Sequence, residues 1–81
     1  MKTVTRYVVT HMGKDGLRTL AMAAQGRYTY ETWSSAQAMI DMIMESNNLD
    51  KLNSVYGLPL EVRACECWPN HFDPVGIYFE D

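Results

Sequence analysis

Apolar and polar positions alternate along the first part of the chain, and then the period lengthens. Thr3 to His11 is dense in β-branched and aromatic residues. Thr5, Tyr7, Val9 and His11 fall on one side and Val4, Arg6, Val8 and Thr10 on the other, which predicts a strand. Met12-Gly13-Lys14-Asp15-Gly16 has hairpin-turn chemistry, and Leu17 to Ala24 returns as a second strand. Gln25-Gly26 interrupts the pattern. Arg27, Tyr28, Thr29 and Tyr30 alternate again, as a short third strand or as an extended lead into a helix. From Trp33 onward, Trp33, Ala36, Ile40 and Ile43 recur at helical spacing. Met39 and Met42 widen that face, while Ser34, Gln37, Asp41 and Glu45 lie away from it. Thr32 is the candidate N-cap, and Ser46-Asn47-Asn48 ends the helix. Leu49, Leu52 and Tyr56 are spaced for a further short helical turn, stopped by Gly57 and Pro59.

Leu60 to Trp68 alternates as a strand. Leu60, Val62, Ala64 and Trp68 are expected toward the core, and Glu61, Arg63, Cys65 and Cys67 on the other face. Val75 to Phe79 reads as a final strand. The expected fold is α+β: one domain spanning residues 1–81, an antiparallel sheet in the order β-β-(β)-α-β-β, and one main helix packed on one face. Trp33 and Ile40 are expected to be buried against the sheet. Met39, Met42, Met44 and Met22 are read as core filling rather than as a soft binding groove.

Composition narrows the class. With 81 residues and 47% apolar content, the chain is globular and buries roughly 60–65% of its unfolded surface. It lacks an apolar run of ~20 residues, and Met1 to Arg6 lacks the apolar core of a signal peptide. A cytoplasmic location is expected. Cys65 and Cys67 sit at i and i+2, roughly 6.7 Å apart along a strand, with poor vectors for a disulfide. Two free thiols are the simpler expectation. The net charge of −3 is unevenly spread. Residues 1–30 carry five basic side chains against Asp15, giving +4, whereas residues 31–81 carry −7. An acidic second half suits a basic partner.

Cys65-Glu66-Cys67-Trp68-Pro69-Asn70-His71-Phe72-Asp73-Pro74 gathers the chain's densest chemistry. Its prolines predict a rigid loop that presents side chains. Cys65, Cys67 and His71, with Asp73 beside them and His11 as a remote further ligand, are donors that suit zinc, but Cys-x-Cys on a strand does not aim both sulfurs at one ion. A Cys67–His71 nucleophile pair lacks an orienting group, an oxyanion hole and a helix N-terminus to activate the thiol. Trp68, His71, Phe72 and Asp73 are better read as a recognition surface, or as side chains closing one end of a small core. Arg6, Lys14, Arg18 and Arg27, with Tyr28 and Tyr30, form a candidate basic sheet face for nucleic acid, against which the overall acidity argues.

Three stretches carry a resemblance: Arg6 to Thr10, Ala23 to Thr32, and Leu60 to Ala64 running into Cys67 to Pro74. Together they resemble a family of short single-domain proteins of phages and mobile elements, some of them anti-CRISPRs of type I systems, type I-C being the subtype the resemblance suggests. The resemblance is of whole sequence and brings no assigned functional residues. It implies an inhibitor that binds a basic, nucleic-acid-handling surface of the interference complex (Cascade). On that expectation the protein is not an enzyme, needs no cofactor and is monomeric. Its contacts with the protein partner are Asp41, Glu45, Asp50, Glu61, Glu66, Trp68, His71 and Asp73. The alternative is a small regulator of a mobile element that binds nucleic acid or zinc, through the basic sheet or through the Cys65–Asp73 loop.

Overall fold

The computed structural model describes residues 2–13, 16–20, 28–76, 78 and 79. Strand β1 (Val4–Met12) organises it. Val8, Val9 and Thr10 are all buried. Successive strand residues point to opposite faces, so three buried in a row require cover on both sides. β1 is accordingly an interior strand. It pairs antiparallel with β2 (Arg18–Leu20) and with β3 (Glu61–Cys67), and β4 (Tyr78–Phe79) pairs antiparallel with β2. The sheet order is β3-β1-β2-β4. Buried Thr10 is satisfied across the ladder, its hydroxyl donating to the Glu61 carbonyl at 2.9 Å.

Helix α1 (Trp33–Ser46) begins where expected. Thr32 is extended, and its Oγ1 accepts the Ser35 N–H at 3.1 Å, satisfying one of the orphan amides of the first turn. The Asn47 amide returns to the Ile43 carbonyl at 2.9 Å and closes the far end. The short helical turn expected after it is α2 (Leu49–Val55), capped by Asn48. Both helices cover one face of the sheet. Ala36, Ile40, Ile43 and Leu52 meet Val9, Tyr30 and Leu60 there in the main core. Gly57 makes the return from α2 possible. Its φ is +81°, and a Cβ on it would stand 2.7 Å from the Met12 carbonyl, so a side chain is excluded on both grounds.

The opposite face is covered differently. Phe79 of β4 packs against Val8, Cys65 and Cys67, although β4 and β3 are the two ends of the sheet order. The sheet curls until its last strand overhangs its first. The α+β class and the antiparallel sheet are therefore as expected, with four strands and two helices.

Several local expectations are corrected. Trp33 is 53% exposed rather than buried. Helical side chains lean toward the N-terminus, so the first residue of α1 reaches past the end of the helix, beyond the apolar face it shares with Ile40. Met42 is exposed as well, and Met44 takes the expected core place instead. On β3, Ala64 is exposed and Trp68 is 37% exposed, whereas Cys65 and Cys67 are buried. The helices cover β3 only at its Leu60–Val62 end, and the curl covers the other face at the cysteine end. The possible third strand reduces to a bridge between Tyr7 and Tyr30. Lys14, Asp15, Ile77 and residues 21–27, including Met22 and Arg27, lie outside the described residues.

Ile40→Ala removes a buried side chain between α1 and the sheet and is expected to cost ~2–5 kcal/mol. Trp33→Ala should cost about 1 kcal/mol or less. Urea unfolding of the two variants checks this; equal losses would mean that α1 is rotated from the orientation described.

Candidate functional site

The proline-bounded loop folds back as a continuation of β3. The Trp68 N–H donates to the Asp73 carbonyl at 3.0 Å, the Phe72 N–H to the Trp68 carbonyl at 2.7 Å, and the Val75 N–H to the Glu66 carbonyl at 3.0 Å. Phe72 has φ +58°, the left-handed region that costs a bulky residue of order 1–3 kcal/mol. The residue is held there from two sides. The Thr29 hydroxyl donates to the Phe72 carbonyl at 2.7 Å. The Arg6 guanidinium lies 4.4 Å from the centre of the Phe72 ring, a cation–π contact, while its Nε donates to Thr29 Oγ1 at 2.8 Å. The loop is thus pinned, and it presents Trp68, His71, Phe72 and Asp73, all exposed. His71 Nδ1 stands 3.2 Å from the Asp73 carboxylate.

The cysteines belong to the interior. Cys67 has no exposed surface, and the two sulfurs lie 3.3 Å apart as free thiols. Burial, and then the hydrogen bond to Cys67, pushes the Cys65 thiol from its ordinary 9.0 up to about 12. A buried thiol held in its protonated form is a poor nucleophile. Among the described residues no group of three His, Cys, Asp or Glu side chains is placed to hold a metal, so Cys65, Cys67 and His71 are not brought together. His11 is engaged elsewhere. Its Nδ1 meets the Tyr56 carbonyl and its Nε2 lies 2.7 Å from the Thr19 hydroxyl. A carbonyl only accepts, so Nδ1 donates to Tyr56, and Nε2 shares a hydrogen bond with the Thr19 hydroxyl.

The charged residues divide into structural and presented groups. Arg18 is only 6% exposed. It donates to the Pro59 carbonyl at 3.0 Å and pairs with Glu61 at 3.2 Å, and Glu61 also meets Arg63 at 3.1 Å. Arg18 therefore leaves the candidate contacts for nucleic acid, while the Glu61 side chain, 42% exposed, is shared between these ion pairs and the surface. Arg6 is spent on the loop and Tyr30 is buried. Tyr28 remains exposed; Lys14 and Arg27 are outside the described residues. Glu66 accepts from the Thr3 and Thr5 hydroxyls at the surface. Asp41, Glu45 and Asp50 are exposed on the helices. Asp41 and Glu45 stand one turn apart on the side of α1 away from the sheet, and Asp50 lies in the first turn of α2, where the helix dipole favours a carboxylate.

Sequence reasoning missed the partners of this acidic surface. Trp33, Met42 and Leu49 are large apolar side chains left about half exposed on the helices. Met42 directly follows outward-facing Asp41, and that adjacency was the available signal. Comparison with family profiles, with curated proteins and with solved structures found no match to this chain.

Two outcomes follow from this arrangement. The unfolded Cys65 thiol loses its proton before the folded one. Its contribution to stability is fully present below pH 9 and is lost as pH rises toward about 12. Melting curves across that window should fall more steeply for the parent than for Cys65→Ala. Glu61→Gln should destabilise by about 1–3 kcal/mol, because it leaves buried Arg18 without its carboxylate. That is less than the ~3–5 kcal/mol of a fully buried pair, since the Glu61 side chain is itself 42% exposed. Denaturant titration measures it, and an unchanged midpoint would remove Glu61 from the architecture.

Proposed function

We propose that this domain works by binding rather than by catalysis. It is a protein inhibitor whose acidic helical face occupies a basic, nucleic-acid-handling surface of its partner. The observation that carries this reading is the contrast between the two sets of charges. The carboxylates of Asp41, Glu45 and Asp50 are exposed on the helices, and the same helices expose Trp33, Met42 and Leu49. The described arginines of the sheet are taken up internally: Arg18 by Glu61 and Pro59, Arg63 by Glu61, and Arg6 by Thr29 and Phe72. Acidic and apolar side chains on the same helices suit an interface with an apolar centre and a complementary charged rim.

The likeness to type I anti-CRISPR proteins supplies the partner, a subunit of Cascade whose basic surface handles nucleic acid. Occupying that surface would block the complex by competition. Trp68, His71 and Asp73 on the pinned loop form a second candidate contact region. The zinc- or nucleic-acid-binding alternative has less support, because the cysteines are buried and Arg18 is not presented.

Charge reversal tests the reading. Asp41→Lys with Glu45→Lys is expected to weaken binding to purified type I-C Cascade about tenfold or more. The melting temperature should be unchanged, and the parent's affinity should fall with added salt. Arg6→Gln should matter less. Silent acidic reversals beside an Arg6→Gln variant that is folded but inactive would reject the acidic face.

A further inference from the structure

The curl of the sheet leaves an open seam between its two edge strands. A cleft of about 530 Å³ is lined by Val62, Arg63 and Ala64 of β3 and by Tyr78 and Phe79 of β4. The hydrogen-bond register shows what its rims offer. Tyr7 exchanges both main-chain bonds with Tyr30, at 2.9 and 2.7 Å, so odd-numbered β1 residues aim their peptide groups away from β3. Main-chain direction alternates along a strand. Arg6–Cys65, Val8–Arg63 and Thr10–Glu61 are therefore the bonded pairs of the β1–β3 ladder. Val62, Ala64 and Glu66 turn their N–H and C=O groups outward. Glu66 confirms this parity, because its carbonyl accepts from Val75 outside the ladder.

The opposite rim follows by the same logic. The Gly13 N–H donates to the Leu17 carbonyl at 2.8 Å, which makes His11–Thr19 a bonded pair and turns Arg18 toward β4. Arg18–Phe79 is then the bonded pair of the β2–β4 ladder, and Tyr78 directs its peptide groups into the seam. Among the described residues, none bonds to the outward main-chain groups of Val62, Ala64 or Tyr78.

We propose that this seam is a docking site for an extended segment of a partner protein, which adds as a strand and bridges β3 and β4. Main-chain groups facing one cleft from two rims call for an occupant with donors and acceptors in strand periodicity. Segment 61–67 contains no proline, so each of its outward N–H groups is a donor. β3 and β4 run in opposite directions, because each is separated from β1 by an odd or an even number of antiparallel steps. The added strand is thus antiparallel to one rim and parallel to the other. Its residues on the concave side meet Phe79, so apolar side chains fit there. The site is separate from the acidic helical face and does not depend on it.

The test uses a display library of random peptides about eight residues long, slightly longer than a typical strand, selected on the intact protein. Selected peptides are then titrated against the parent, Ala64→Pro, and the Asp41→Lys, Glu45→Lys double variant. Proline at position 64 removes an outward N–H without breaking a β1–β3 bond. The expected result is enrichment of β-forming sequences with apolar residues on their inward side. Their affinity should fall about tenfold or more with Ala64→Pro, as loss of a hydrogen bond and a buried carbonyl left unpaired imply, and should be unchanged by the helix variant. On the unmodified protein, the Val62, Ala64 and Tyr78 amides should gain hydrogen-exchange protection with peptide bound, a readout that stands even if Ala64→Pro fails to fold. Protection confined to other residues would overturn the proposal, as would equal binding to a folded Ala64→Pro protein. A dimer of the free protein that Ala64→Pro dissolves would also overturn it, since β3 of a second copy would then be the occupant.

Discussion

The architecture depends on one constraint: the middle of β1 is buried on both faces, and the described helices cover one of them. Domains of this size have little interior to spare. Two helices cover one face, over Val9, Tyr30 and Leu60. The other face is covered by the sheet itself, which curls until Phe79 lies on Val8, Cys65 and Cys67. Right-handed twist makes such coiling natural for a sheet of short strands, and the two residues of β4 are enough to place one aromatic ring where it is needed.

The curl decides the chemistry of several residues that look functional in isolation. It draws Arg18 from a surface strand into the interior, where Glu61 and the Pro59 carbonyl hold it. This interaction joins β2 to β3 and to the segment preceding it, across the intervening β1. The same closure takes the cysteines out of water and holds the Cys65 thiol in its protonated form. Arg18, Cys65 and Cys67, each of which stands out chemically in the sequence, are therefore held in contacts internal to the fold.

Local signals carried the elements well. The β-branched run at Val8, the capping residues Thr32 and Asn48, and the helical spacing of Ala36, Ile40 and Ile43 each depend on neighbours in sequence, and each holds in the structure. Side-chain exposure was legible only where one element covers another along its whole length. On β3 it was not. Strict alternation assigns Ala64 to the core and Cys65 to the outside, but cover changes faces midway along the strand. Trp33 failed for a related reason, because periodicity describes a face and ignores where the helix ends. The Thr29–Arg6–Phe72 contacts that pin the loop join residues far apart in sequence, and no local pattern announces them.

What the fold leaves exposed is the surface that the proposed binding would use. Phe72 occupies a left-handed conformation that two separate contacts sustain, so the Trp68–Asp73 segment is ordered before any partner arrives. Pre-ordering lowers the entropy cost of association. The helical face is rigid for a different reason: Ile40 and Ile43 anchor α1 to the sheet while Asp41 and Glu45 point away from it. Because the same closure that buries Arg18 and the cysteines leaves these carboxylates unengaged by the core, the small domain keeps its internal charge balance in the curled sheet and its presented charge on the helices.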